Sequence, residues 1–373
     1  MPGVYISYPF CAQKCTYCNF ASGVFPRELE PKYLAALRAE IERCGFGNGH
    51  WPWTPETVYL GGGTPSQMDP DALAALLKMI PGGSPGSSPG SKWMEATMEA
   101  APGTITKEKA AAWRRAGINR VSLGVQSFVQ KEIARTGRKH TAEIVEREVA
   151  MLRETGTERI NIDLIAGLPS QTAASWNESL EWIERLGPPH VSVYMLEVDE
   201  DSRLGRELIA GGPRYGAMDV PSEDLIASFY EIATERLKNA GIERYEISNF
   251  ARLGHESRHN LKYWRREPYL GFGADAHSFD GVARWQNPET AAEYVAGFPA
   301  PVRTPADERG EKWFLGLRLR EGIEIGAGSD ENREFQEVVE RILSDGLAER
   351  VEGRLRLTDR GILLSNEIFA EFV

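Results

Sequence analysis

The chain has 373 residues, 42% of them apolar and 26% charged, with a formal charge of −11. That composition excludes a chiefly disordered chain and supplies enough apolar surface for a sizeable core. No run approaches ~18 uncharged apolar residues, so no membrane-spanning helix is expected. The acidic balance argues against broad nucleic-acid affinity, which needs clustered basic surface.

Val4–Ser7 reads as the first strand, and Met1–Ile6 carries no basic-plus-apolar leader. Directly after it comes Cys11-Ala-Gln-Lys-Cys15-Thr-Tyr-Cys18. These are three of only four cysteines in the chain, too few for a disulfide scaffold, and the expected compartment is the reducing cytoplasm. Three thiolates this close can hold three irons of a 4Fe–4S cluster and leave the fourth open. Zinc or a plain reactive thiol is the alternative, but zinc asks for a fourth ligand nearby and Asn19 and Phe20 supply none. A helix is expected over Pro31–Arg43, with Cys44 behind it as a small buried apolar residue.

Strand Thr57–Leu60 runs into Gly61-Gly62-Gly63-Thr64-Pro65, where glycines let the backbone approach a ligand. Helix Pro70–Met79 starts at Asp69-Pro70, and Pro81–Ser91 (PGGSPGSSPGS) reads as a surface loop. Then strands at Trp93–Met98, Arg120–Val125, Asn161–Ile165 and Val191–Leu196 alternate with helices at Thr106–Ala116, Thr141–Glu154 and Thr172–Leu186. Six strand–helix repeats predict parallel strands with right-handed crossovers, apolar on both faces. A full barrel, a partial barrel and a doubly wound sheet all fit. Polar residues punctuate these strands and their ends: Glu99, Gln126 and Asp163. They read either as a hydrogen-bonded structural network or as a ligand ring at a barrel mouth.

A helix at Ser222–Ala240 and a strand at Tyr245–Phe250 follow, then a region from Leu253 to Phe279 rich in arginine and aromatics. It holds His259-Asn260-Leu261-Lys262-Tyr263-Trp264. Histidine is a common heme ligand, Tyr263 and Trp264 offer flat faces, and Arg258, Lys262, Arg265 and Arg266 suit propionates. A lone histidine in such company also reads as a satisfied core residue, and His255 and His277 are neighbouring candidates. Past the proline-bearing stretch Gly297–Pro305, Glu311–Arg320 and Glu331–Ser344 read as helices. Gly346–Leu357 reads as a hairpin, and a last helix follows Thr358, giving a winged-helix-like unit whose packing or lid role outweighs DNA binding. The expected organisation is 1–250, 251–298 and 299–373.

The C-x3-C-x2-C loop with the GGGTP turn resembles the radical S-adenosylmethionine superfamily. Together with Tyr5, Ser122–Phe128 (SLGVQSF), Arg138 and Asn161–Pro169 (NIDLIAGLP), it resembles the oxygen-independent coproporphyrinogen III oxidase family within it. The resemblance implies a partial (β/α)6 TIM-like barrel with a small C-terminal α+β domain. It implies a cluster on Cys11, Cys15 and Cys18, whose open iron binds S-adenosylmethionine and whose electron cleaves the sulfonium to a 5′-deoxyadenosyl radical. Tyr5, Gly62, Gly63, Thr64, Glu99, Gln126, Arg138, Asp163 and His277 are the residues expected at S-adenosylmethionine, and Tyr17 at its adenine. Phe20 stands where the oxidases carry a fourth cysteine, and HNxxYW at 259–264 is similar to the heme-chaperone branch. In the usual glycine-rich segment before Ala276-His277-Ser278, Ala274-Asp275 replaces Pro-Gly. That branch implies heme on His259, Tyr263 and Trp264, and transfer to a hemoprotein or respiratory-chain acceptor. It also implies a flavodoxin- or ferredoxin-type electron donor, peripheral membrane contact and a homodimer. The alternative is oxidative decarboxylation of coproporphyrinogen III, which Phe20 speaks against; a nucleic-acid role for the tail is the third reading.

Overall fold

The computed structural model describes residues 2–46, 51, 53–83, 91–325 and 335–373. The chain opens with β1 (Gly3–Tyr8), α1 (Leu29–Cys44), β2 (Thr57–Gly62), α2 (Pro70–Met79), β3 (Glu95–Ala100), α3 (Lys107–Ala116) and β4 (Arg120–Gln126). Next come α4 (Gln130–Arg135), α5 (Ala142–Glu154), β5 (Arg159–Ala166), α6 (Ala173–Leu186) and β6 (His190–Met195). Capping follows the sequence. Asp69 accepts from the Asp71 and Ala72 amides, Thr106 from Lys109, and Gly117 ends α3 in the left-handed conformation. Strands β1 to β6 pair in parallel and in consecutive order, as right-handed crossovers dictate.

After β6 come α7 (Arg203–Ile209), α8 (Glu223–Asn239), β7 (Glu243–Arg244), β8 (Asn249–Ala251) and α9 (Arg258–Trp264). They are followed by β9 (Tyr269–Phe272), β10 (His277–Phe279), β11 (Ala283–Gln286), α10 (Ala291–Ala296) and β12 (Thr304–Pro305). Strand β9 adds parallel to β1, with β10 to β12 beyond it, while β8 and β7 add antiparallel outside β6. The result is one 12-stranded sheet whose two ends, β12 and β7, are not joined, so the barrel is partial. The tail comprises α11 (Glu308–Gly316), β13 (Ile323–Glu324), α12 (Gln336–Ser344), β14 (Ala348–Val351), β15 (Arg354–Leu357), α13 (Asp359–Leu363) and α14 (Ser365–Ala370). Its hairpin β14–β15 forms a separate three-stranded sheet with β13.

Several expectations change. The strands are not apolar on both faces. Val4, Ile6, Val58, Leu60, Ala96 and Met98 belong to the hydrophobic core, but the alternate positions of β3 to β6 carry Thr97, Glu99, Ser122, Asn161, Asp163 and Ser192. Four of those polar groups satisfy one another: Asn161 Nδ2 donates to Ser122, Asp163 and Ser192 at 2.7, 2.7 and 3.0 Å. Tyr245–Phe250 is not a continuous strand, because Tyr245 N–H turns back to the Asn249 carbonyl between β7 and β8. Strand β3 starts at Glu95 rather than Trp93, whose indole N–H donates to the Pro81 carbonyl. The helix expected from Glu311 begins at Glu308, capped by Asp307, and the last helix divides at Leu364. Of the expected loop and helix, residues 84–90 and 331–334 lie outside the described residues.

Candidate functional site

The cysteine loop leaves β1 at its carboxyl end and is pinned from three sides. Cys11 N–H donates to the Gly23 carbonyl and Gly23 N–H to that of Pro9. The amides of Gly63 and Thr64 donate to the Tyr8 and Phe10 carbonyls at 2.8 and 2.9 Å, which locks the glycine turn after β2 onto it. Thr16 N–H donates to the Thr136 carbonyl behind α4, and Leu204 N–H of α7 to that of Thr16. Gly63 has no alternative here: a Cβ would lie 2.7 Å from the Phe10 oxygen and the Pro9 carbonyl carbon. Gly62 has φ 101°, open to glycine at no steric cost. Cys11, Cys15 and Cys18 are free and half-buried. Burial pushes the Cys11 thiol up, against hydrogen bonds from Thr64 and Ser22.

Arg138 connects this loop to β4. It donates to the Gly124 carbonyl at 2.7 Å and lies against the Tyr17 hydroxyl and the Cys15 thiol. Gln126 ends β4 just past an irregularity in the β4–β5 pairing, at φ 71°. Its buried Oε1 has no partner, and neither has Arg138 Nε. A non-glycine residue held in this region costs energy and clusters where ligands bind.

Behind the mouth, Tyr5 and Tyr59 stand in register with ring centroids 6.1 Å apart, and the Tyr59 hydroxyl donates to Glu99 Oε1 at 3.0 Å. Burial, with Asp163 adding repulsion, pushes the Glu99 carboxyl up to about 7. Asp163 is also pushed up by burial, although Ser122 and Asn161 donate to it. Tyr17, Gly62, Gly63, Thr64, Glu99, Gln126, Arg138 and Asp163 therefore sit on the carboxyl-terminal half of β2, β3, β4 or β5 or on the loops that follow β1 to β4, whereas Tyr5 lies in the first half of β1, deeper in the barrel. His277 is exposed on β10, on the far side of β9 from β1.

These residues fit the implied groups. Three thiols on one loop, a glycine cradle, two unpartnered buried polar atoms and a carboxyl at the lumen wall are what a cube with one open iron and a sulfonium amino acid require. Among the described residues no three His, Cys, Asp or Glu side chains converge on one metal ion. A cluster that takes one thiolate per iron does not ask for that.

The HNxxYW segment lies elsewhere. Helix α9 closes the opposite end of the barrel, where the strands begin. Glu95, the first residue of β3, accepts from Ser257 Oγ at 3.2 Å and from the Arg258 and His259 amides at 2.9 and 3.1 Å. Lys262 pairs with Glu56 and Glu267 at 2.8 and 3.0 Å. His259 is 1% exposed, with Nδ1 2.8 Å from Thr57 Oγ1 and Nε2 2.8 Å from the Tyr263 hydroxyl. Burial, with Lys262 and Arg120 nearby, lowers its pKa to about 3, so the ring is neutral.

The flat faces expected at Tyr263 and Trp264 are taken. Tyr263 packs edge-on to Tyr269 at 4.6 Å, and the Arg318 guanidinium lies 4.2 Å over the Trp264 ring. Arg265 pairs with Glu321 and Arg266 with Glu311, each answering a carboxylate of the tail; Arg258 is exposed. Sequence reasoning missed Thr57, Tyr59 and Glu95. The alternation of Glu95, Thr97 and Glu99 against Ala96, Met98 and Ala100 carries the signal for a polar lumen face.

The radical SAM superfamily model matches residues 5–183 and the HemN C-terminal domain model residues 304–364. Heme chaperone HemW of Bacillus subtilis is 33% identical, with 100% of this chain and 99% of that protein covered. Heme chaperone HemW of Mycobacterium tuberculosis is 36% identical over 98% and 93%. The solved structure of coproporphyrinogen III oxidase (HemN) from Escherichia coli superposes with a TM-score of 0.78 at 22% identity, covering 100% of this chain and 90% of that one, a likeness of fold. The radical SAM fold carries with it a 4Fe–4S cluster and S-adenosylmethionine. On full-length relatedness, the chain belongs to the heme chaperone HemW family.

Proposed function

We propose that this protein binds heme and passes it to a hemoprotein or respiratory-chain acceptor, on a scaffold that holds a 4Fe–4S cluster and S-adenosylmethionine. The observation that carries this reading is the end-to-end match to heme chaperones, which includes the His259–Trp264 helix and the tail packed on it. Cys11, Cys15 and Cys18 hold the cluster. Gly62, Gly63, Thr64, Glu99, Gln126, Arg138 and Asp163 line the S-adenosylmethionine site, with Tyr5 at the lumen wall, Tyr17 toward the adenine and His277 at the edge. When bound, the cluster supplies one-electron reducing power to the sulfonium.

His259 is the heme ligand of this reading, with Tyr263 and Trp264 beside it. Burial keeps the imidazole neutral, the form that ligates iron. In the tautomer that donates Nδ1–H to Thr57, Nε2 offers its lone pair to the Tyr263 hydroxyl, the lone pair that an iron would take. Ligation thus requires Tyr263 to give way and α9 to lift from the floor. A cytoplasmic site of action, a flavodoxin- or ferredoxin-type donor, peripheral membrane contact and a homodimer complete the reading.

Heme titration of the anaerobically reconstituted protein tests it. Wild type is expected to give a Soret band that His259→Ala weakens and Tyr263→Phe strengthens, since the latter frees Nε2 without removing the ring. No heme binding by wild type overturns the reading. Conversion of coproporphyrinogen III to protoporphyrinogen with S-adenosylmethionine and a reductant would establish the oxidase instead.

A further inference from the structure

A second concave site lies on the outer face of the sheet, separated from the cysteine loop by the packed rings of Phe10, Tyr33 and Tyr294. It is a cavity of about 720 Å³ between the end of α1, strands β9 and β11, and the segment after α10. That volume is in the range of small-molecule and cofactor pockets. Its walls are flat and apolar. Trp51 and Trp53 meet edge to face at 4.7 Å, Phe298 packs on Tyr294 at 5.5 Å, and Trp285 is overlaid by Arg303 at 4.5 Å.

Two features point to an occupant. The first is Trp51, 6% exposed, whose buried indole N–H has no partner. A buried donor left unmet is costly and is normally satisfied. The second is charge. Glu40 is spent on the Gly273 amide, Asn287 and the Tyr294 hydroxyl, and Asp280 is held by Arg303. Arg43, exposed on the last turn of α1, forms no ion pair with any described residue, and its charge, which also acts on the neighbouring Glu40, stands at the rim. An occupant that fits is planar, aromatic, of macrocycle size, and bears carboxylates that accept from Trp51 and pair with Arg43.

We propose that this cavity seats a carboxylate-bearing porphyrin by its ring and side-chain anions, separately from the iron ligand. The inference rests on the heme reading above, and places a holding site for the cargo outside the barrel floor. Cys44 lines the cavity, where burial pushes its thiol up to about 11. The grip proposed is that of the aromatic walls on the ring.

Metal-free protoporphyrin IX separates the two. Titrated into the cluster-reconstituted full chain, it is expected to quench tryptophan fluorescence and bind wild type. Val295→Trp, which fills the cavity from α10, is expected to weaken that binding about tenfold or more. Arg43→Glu, at an exposed position that does not threaten folding, is expected to weaken it about threefold. A Val295→Trp protein with wild-type circular dichroism and wild-type porphyrin affinity overturns the proposal. If that variant misfolds, an unchanged affinity in Arg43→Glu overturns it instead. Heme binding that depends on His259 with no binding of the metal-free ring removes the cavity and keeps the heme reading. Binding of neither removes both.

Discussion

The ring of His259 lies over that of Tyr59, centroids 5.2 Å apart and 29° from parallel, while the Tyr59 hydroxyl donates to Glu99 Oε1 at 3.0 Å. One side chain thus joins the barrel floor to the carboxyl expected at S-adenosylmethionine. Tyr59→Phe keeps the stack and removes the donor. Because that hydrogen bond holds the Glu99 pKa down against burial, the variant is expected to titrate Glu99 above about 7. Carboxyl carbon NMR against pH reads this directly, and an unmoved midpoint means the bond is not formed in solution.

Glu99 also sets a pH dependence of stability. Its folded pKa, about 7, lies above its unfolded value, so the folded state binds more protons between the two. Stability is therefore greatest below the unfolded value and falls as pH rises through about 7. Glu99→Gln removes the loss, and the ligand-free variant should gain relative to wild type between pH 5 and 8, by up to ~3 kcal/mol. Urea unfolding at the two pH values measures the gap; a gain by wild type would contradict the burial.

At the mouth, Gly63→Ala drives a methyl group into the Pro9–Phe10 backbone. The cost is about 1–3 kcal/mol of stability, with displacement of the loop that carries Cys11. The anaerobically reconstituted variant is expected to hold less iron than wild type, and Cys15→Ala to lose the brown absorbance altogether. A full complement of four irons in Cys15→Ala would remove that residue as a ligand.

The tail is tied to the barrel through a buried charge. Glu246 is wholly buried, accepts from the Ser248 amide at 3.1 Å and from Asn249, and has Arg318 at 3.6 Å. Arg318→Met strands that carboxylate and uncovers Trp264, at an expected cost of about 3–5 kcal/mol. Combining it with Glu246→Gln is expected to recover most of the loss. A double-mutant cycle with no coupling energy would show that the pair does not interact.

Much of the barrel was legible because parallel strands, crossover helices and caps leave local marks. Asp69, Thr106 and Gly117 are examples, and the cysteine and glycine motifs locate the mouth without any distant information. The place of His259 was not legible. Its partners Thr57 and Glu95 are 202 and 164 residues away, and nothing in HNxxYW says that the helix closes the base of the barrel. The same holds for Trp264, whose cover, Arg318, comes from the tail. Composition offered arginines for propionates, and the structure gives Arg265 and Arg266 to Glu321 and Glu311. Cation content alone does not distinguish an anion site from a domain joint.

A stoppered vessel fills and empties from one end. Glu95 grips a hydroxyl and two amides of α9, so withdrawing the plug would strip three donors from that carboxylate and leave it the Thr97 hydroxyl. The loss of those bonds is what holds the base shut.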